Sequence, residues 1–299
     1  MRWPSGRSRW TGPPSTMSSS ARQAAHFETP ADRTANPAEL PPQPQSQDVP
    51  VLKHTLMFLG YELGKSARNP VWPLFGILQP VLYLLLFEPL LANTTVGDSQ
   101  SHTLLQFTPG VMVMVALFGS LFVGFGMIAE IRSGVLERLA ASAANRSAIV
   151  LGRVLRDVVI LVVQALLVVL VAVAMGMRPS PGGLVLMLFL MAVTGVFASG
   201  VSYGLALAVR QETSMSQVLQ FFSLPLILLT GILLPMSLAP HWMQVVAKAN
   251  PLYYAVQAGR ALFSGDFSDP SVPVAFALTA VLAVLTLNWS VRSMRKIAG

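Results

Sequence analysis

This sequence predicts an all-α integral membrane protein, and three observations carry the prediction. Hydrophobic residues make up 53% of the 299 and charged residues only 11%, whereas soluble domains carry about 25% charged residues. Beyond Pro50 the chain contains six apolar runs near the ~20 residues a helix needs to cross a bilayer core. The Lys and Arg residues between those runs are shared unequally between two sides, as expected of an oriented multi-pass protein. Composition also excludes whole classes of function. With no Cys there is no disulfide framework, thiolate metal site or cysteine nucleophile. The four His (His26, His54, His102 and His241) are scattered, which argues against a metal centre. A formal charge of +7 spread over this length predicts no nucleic-acid surface.

Residues 1–50 are rich in Pro, Ser, Gln, Ala and Arg, with Trp3, Trp10 and Phe27 as the aromatics. Such a segment buries too little apolar surface to offset its ordering entropy and is predicted to be a disordered cytoplasmic tail. It contains no apolar stretch that reads as a signal peptide. Residues 51–299 form the membrane domain. In its first part Leu52, Leu56, Leu59 and Leu63 recur with helical spacing, while His54, Tyr61, Lys65 and Arg68 fall on another face. Too short and too charged to span, this segment is predicted to be an amphipathic helix lying in the cytoplasmic interface.

The six runs are approximately Val71–Leu91, Leu105–Ala129, Val150–Met177, Leu184–Val209, Val218–Leu234 and Val274–Val291. Six crossings place both termini on one side. That side holds 12 Lys and Arg residues besides five in the tail, and the other holds only Arg178, Lys248 and Arg260. By the positive-inside rule both termini are cytoplasmic.

Two joints stand out. Between the second and third crossings, Glu130 to Arg156 combines an apolar helical face (Ile131, Val135, Leu139) with Arg132, Glu137 and Arg138. A short amphipathic helix of this kind suits docking into a groove of a cytoplasmic partner. Between the fifth and sixth crossings, Pro235 to Pro273 is too apolar for an open loop and too polar to span. Trp242, Val245, Val246 and Ala249 share a face before Pro251, and Leu252, Val256 and Phe263 share one after it. This pattern predicts an outer re-entrant helical hairpin broken at Pro251, with Trp242, Tyr253 and Tyr254 at interfacial depth.

Motifs for chemistry are missing. Gly60-Tyr-Glu-Leu-Gly64-Lys65-Ser66 resembles a P-loop but has three residues between its glycines instead of four, and it lies inside a helical pattern without a preceding strand. No paired Asp clusters or intramembrane Ser–His pair suggest an enzyme. Glu88 is an acid within the first run, near enough to its outer end to reach the headgroups. Gln79, Gln164 and Gln220 are polar residues within spans, suited to hydrogen bonding between helices or, as the alternative, to lining a substrate path.

With these residues in view, the chain resembles the membrane subunit of ABC-2 type exporters, in particular the daunorubicin-resistance-like bacterial permeases. The resemblance rests on Glu130-Ile-Arg-Ser-Gly-Val-Leu-Glu137-Arg138-Leu139, then Arg146 and Leu151-Gly152-Arg153, which looks like that family's cytoplasmic coupling segment. Ala143 stands where the family usually has Pro. It rests also on Leu234-Pro235, Asn250-Pro251-Leu252-Tyr253-Tyr254 and Gly259-Arg260, which looks like its outer segment. The resemblance covers about residues 52 to 295. It implies a permease subunit that exports a hydrophobic or amphipathic compound across a bacterial plasma membrane, paired with a second permease copy or a paralogue. It also implies no cofactor on this chain, with ATP and Mg on a separate ABC ATPase subunit. Glu130, Arg132, Glu137, Arg138 and Arg146 are the expected ATPase-coupling residues; Pro235, Asn250, Pro251, Tyr253, Tyr254 and Arg260 are the expected outer gate. A polysaccharide or glycolipid exporter of the same fold is the alternative, weakened by the few aromatics inside the spans; a membrane enzyme or assembly scaffold is the reading from another class.

Overall fold

The computed structural model describes residues 51–68, 71–92, 100–135, 146–232, 236 and 239–297. The tail 1–50, Glu137, Arg138 and Pro235 lie outside the described residues, as do the side chains of Glu88 and Arg146. Among the described residues the structure is helical, without strands. The helices are α1 (Val51–Arg68), α2 (Val71–Ala92), α3 (Gln100–Leu121), α4 (Gly124–Arg132), α5 (Arg146–Ala174), α6 (Pro181–Val209), α7 (Glu212–Thr230), α8 (His241–Ala247), α9 (Pro251–Ser264) and α10 (Ser271–Ile297).

Among the described residues, five stretches are long and apolar enough to cross a membrane: Ser101–Arg132, Ser147–Ala174, Pro181–Val209, Glu212–Thr230 and Ser271–Met294. Each corresponds to an expected run with shifted ends. The largest shift is in α7, which stops at Thr230 because Gly231 adopts the left-handed conformation (φ 71°) that terminates helices. The remaining run falls on α2, a 22-residue helix whose shorter apolar stretch is Gly76–Leu86.

The core forms where α6 meets its neighbours. Its most extensive interface is with α10, and α3, α4, α5 and α9 also pack on it. In a bilayer there is little hydrophobic drive between helices, so close approach through small residues must supply the packing. Gly200 and Gly204 do so here: a Cβ on them would lie 2.7 Å from Thr286 Oγ1 and 2.4 Å from Trp289 Cε3.

The α3–α4 break positions the cavity described below. Leu121 ends α3 and Gly124 begins α4, leaving backbone groups without helical partners. Ser202 of α6 satisfies both sides of the break: its hydroxyl donates to the Leu121 carbonyl (2.5 Å) and accepts from the Gly124 N–H (2.9 Å). Gly124 is required because a Cβ there would lie 2.6 Å from the Ser202 carbonyl oxygen.

The leucine spacing of α1 assigns no side to the bundle, and the structure supplies it. Thr55 and Glu62 are buried, Phe58 and Leu59 pack beside Gly152 of α5, and Leu56 is largely exposed. Buried ion pairing of Glu62 is invisible to a hydrophobic-periodicity reading; of the leucines, Leu56 is exposed while Leu59 and Leu63 are half-buried.

At the far end, α8 and α9 occupy the segment divided by Pro251. The apolar face of α8 (Trp242, Val245, Val246) is exposed, whereas Leu252, Val256 and Phe263 of α9 are buried against the core. The two half-helices therefore have different environments.

Candidate functional site

Helix α5 places Arg153, Arg156 and Asp157 within little more than one turn, and Gln164 about 10 Å beyond Asp157 on the same helix. Helix α1 brings Glu62 and Lys65, α4 brings Glu130, and α6 brings Tyr203. Together they form a continuous ion-pair cluster. Glu62 bridges two guanidiniums, with Oε1 3.4 Å from Arg153 Nε and Oε2 accepting from Arg156 Nη1 at 2.7 Å. Arg153 also pairs with Glu130, whose other oxygen accepts from Lys65 Nζ at 2.9 Å. Arg156 Nη2 pairs with Asp157 Oδ1 at 2.6 Å, and the Tyr203 hydroxyl donates to Asp157 Oδ2 at 2.6 Å.

Burying charge inside a membrane bundle is costly unless it is paired and hydrogen-bonded. The three carboxylates (Glu62, Glu130, Asp157) balance the three cations (Lys65, Arg153, Arg156). Arg153 and Glu62 are almost completely buried, whereas the Lys65 side chain is 55% exposed. Lys65 is thus the displaceable member of a neutral cluster.

This cluster forms the floor of a cavity of about 1000 Å³ among α1 to α6, with Glu212 of α7 at its edge. Its wall is aromatic. Phe118, Phe122 and Phe125 line it in a near-parallel stack, with ring centroids 6.2 and 5.9 Å apart and planes inclined by 22° and 12°. Gln164 enters the cavity beside Gly76 and Gly119, where a Cβ on Gly76 would come within 2.6 Å of its amide nitrogen. Gln79 lines the same space and donates to Tyr83 at 3.5 Å. The result is a drug-sized compartment, apolar on one side and charged at one end.

Of the residues expected to couple to an ATPase, Glu130 belongs to this cluster, and Arg132 pairs with Glu212 at 3.3 Å. Both therefore have partners within the chain. Arg146 opens α5. Of the expected gate residues, Asn250 and Pro251 start α9: the Asn250 side chain accepts from the Leu252 N–H (3.0 Å) and donates to the Leu226 carbonyl of α7 (3.0 Å). Tyr253 and Tyr254 form an edge-to-face pair with centroids 5.4 Å apart. Arg260 donates to the carbonyls of Gln106 and Gly231, both at 2.9 Å, tying α9 to α3 and to the end of α7. Gln220 donates to Ser216 on its own helix. The near-miss P-loop string, 60–66, lies entirely within α1.

Of this cluster, sequence reasoning named Glu130 alone as a site residue; it overlooked Glu62, Lys65, Arg153, Arg156, Asp157 and Tyr203. For Glu62 and Tyr203 the available signal was their type: an acid one helical turn before Lys65, and a tyrosine inside an apolar run, both need partners when buried.

Residues 55–264 match the family described as ABC-2 type transporter. The daunorubicin resistance ABC transporter permease protein DrrB1 of Streptomyces coeruleorubidus is 27% identical over 240 residues, covering 78% of this chain and 84% of that one. The protein named as transport permease ycf38 in Cyanophora paradoxa is 29% identical over 201 residues, covering 66% and 69%. DrrC of Mycobacterium tuberculosis, named as a doxorubicin resistance ABC transporter permease, is 24% identical over 238 residues, covering 78% and 86%. With a family match extending over more than two thirds of its length, this chain belongs to the ABC-2 type transporter family.

Proposed function

We propose that this chain is the permease subunit of an ATP-driven exporter of hydrophobic or amphipathic compounds, working with a separate ABC ATPase that holds ATP and Mg. The observation that carries the reading is the half-apolar, half-charged cavity inside a bundle of membrane-length helices. The drug-resistance permeases among its relatives support the same direction. In this reading α2 completes six crossings of the plasma membrane, and both termini are cytoplasmic. Residues 130–146, including Glu137, Arg138 and Arg146, meet the ATPase.

A second permease copy completes the unit. Helix α7 favours this arrangement because Gln220 is exposed in mid-span beside Phe221, which is 74% exposed, and Gln217 is exposed one turn earlier. Polar side chains at that depth need protein or water rather than lipid. The segment from Pro235 to Gly265 is a re-entrant hairpin at the outer mouth, with Asn250, Pro251, Tyr253, Tyr254 and Arg260 forming the gate.

Affinity purification of the tagged chain from native membranes tests the reading. An ABC ATPase should co-purify in equimolar amount, and inverted vesicles containing both should accumulate compounds from a panel only with ATP. Accumulation unchanged by deleting the permease would overturn it.

A further inference from the structure

We propose that Arg260 is the centre of a phosphodiester-binding site, occupied by the headgroup of an anionic phospholipid of the outer leaflet that is held there rather than transported. This rests on the proposed placement of α9 at the outer mouth and not on what the exporter moves.

The charge balance of the bundle singles out this residue. At the opposite end Arg153 and Arg156 each pair with two carboxylates. Arg260 is half-buried and meets main-chain carbonyls instead, with Nε donating to Gln106 and Nη2 to Gly231. Among the described residues no carboxylate pairs with it. The acids just beyond α9, Asp266 and Asp269, accept from the N–H groups of Ser268 and Ser271. Carbonyls satisfy hydrogen bonds but do not neutralise charge, and a cation withdrawn from water without a counter-charge is costly. Arg178 and Lys248, the other cations assigned to this end, are exposed and can face water. Arg260 is the cation here that calls for an external anion.

The guanidinium has donors left to receive one. Two of its five N–H groups are engaged, which leaves both on Nη1 and one on Nη2. These suffice for the bidentate pairing with phosphate oxygens that the planar fork of arginine favours.

The depth of the site selects a lipid phosphate. The 32-residue stretch Ser101–Arg132 corresponds to about 48 Å of helix against a hydrocarbon core of ~30 Å, so about 9 Å projects past the core at each end. Gln106 lies five residues from Ser101, about 8 Å inside that end, and thus at the boundary between acyl chains and headgroups. Tyr253 and Tyr254 of α9 suit the same interfacial depth. Gln106 and His102, one turn farther out on α3, are exposed, so this flank of the site is open to a headgroup. On α7, Leu228 is exposed three residues before Gly231 and offers an acyl chain an apolar path inward. Because Arg260 ties α9 to α3 and to the end of α7, the lipid sits where the three meet and reinforces the closed arrangement.

The full chain with its ATPase partner, purified in detergent, is titrated with dioleoylphosphatidylglycerol. Retained lipid is counted by native mass spectrometry and the thermal midpoint is followed. The wild-type protein should retain the lipid and gain thermal stability saturably, whereas dioleoylglycerol, which lacks the phosphate, should not stabilise it. Gln106→Glu sets a carboxylate beside the guanidinium and should replace the lipid from within: affinity falls about tenfold while the lipid-free midpoint is not lowered. Gln106→Ala should bind as the wild type does. Arg260→Lys, which keeps the charge and loses the fork, should bind about fivefold more weakly. A purely structural role for Arg260 leaves lipid affinity indifferent to a carboxylate at position 106. Equal affinity of the wild type and Gln106→Glu therefore overturns the proposal, even if Arg260→Lys fails to fold. Stabilisation by inorganic phosphate equal to that by the lipid, or by dioleoylglycerol equal to that by phosphatidylglycerol, overturns it too. ATP-driven uptake by a complex that fails these tests removes this proposal and leaves the exporter reading standing; lipid binding as expected in a complex that transports nothing does the reverse.

Discussion

Arg153 and Glu62 show how a membrane bundle tolerates charge. Each is nearly completely buried and each meets two partners, so deleting one strands the others in a low-dielectric interior. Arg153→Ala or Glu62→Ala should therefore cost about 3–5 kcal/mol, seen as a large fall in the thermal midpoint of the detergent-purified protein. Lys65→Ala, at an exposed link, should cost less than about 1 kcal/mol and leave nucleotide affinity of the assembled transporter unchanged, because its P-loop-like string is a helix. At this scale the sequence was partly informative. Arg153, Arg156 and Asp157 are visible as a charged group beside an apolar run, but the acids that neutralise them come from α1 and α4. Spacing within one segment cannot disclose a pairing between residues 94 apart, such as Glu62 with Arg156.

Helices were the most legible level, since a bilayer imposes length and apolarity on each of them. Orientation about the helix axis was less so. The leucine spacing of α1 predicted an interfacial face and was silent on the face packed on α5, which is that of Thr55, Phe58 and Glu62 around Gly152. Gly152→Leu should force α1 off α5, since even a Cβ would lie 2.7 Å from Phe58 Cβ; a cysteine at Thr55 in this Cys-free chain should then become reactive to a water-soluble thiol reagent. At the other end, the break at Pro251 was visible as a proline between two apolar patterns, whereas the double role of Asn250 was not, because its second partner lies on α7. Asn250→Ala should destabilise the protein by about 1–2 kcal/mol, and Asn250→Asp by at least as much, because a buried carboxylate oxygen would then face the Leu226 carbonyl oxygen. In the same thiol assay, cysteine at exposed Trp242 should label readily and cysteine at buried Phe263 should not. Uniform labelling of the two would contradict the packing of α9.

Across the whole molecule the parts divide the labour of an exporter. A charged cluster ties α1, α4, α5 and α6 at one end, an aromatic cavity rises from it, and Arg260 and Asn250 tie α9 to α3 and α7 at the other end. Reporter fusions after Arg146 and after Gly265 should lie on opposite sides of the membrane, as six crossings with an uneven Lys and Arg distribution require. The proposal of a second copy rests on a different logic: the sequence shows that α7 is the most polar of the five spans, but only the fold shows that Gln217, Gln220 and Phe221 are exposed among the described residues.

The central claim is that this permease couples passage through its bundle to ATP hydrolysis by a separate subunit. Co-reconstitution of the purified chain and its co-purified ATPase into inverted proteoliposomes tests it most directly, with compound uptake and phosphate release measured together. Uptake that requires both proteins and ATP, and that is lost with Glu137→Lys while the complex still assembles, is the predicted result. Uptake of equal rate from the ATPase-free chain in the presence of ATP would contradict it.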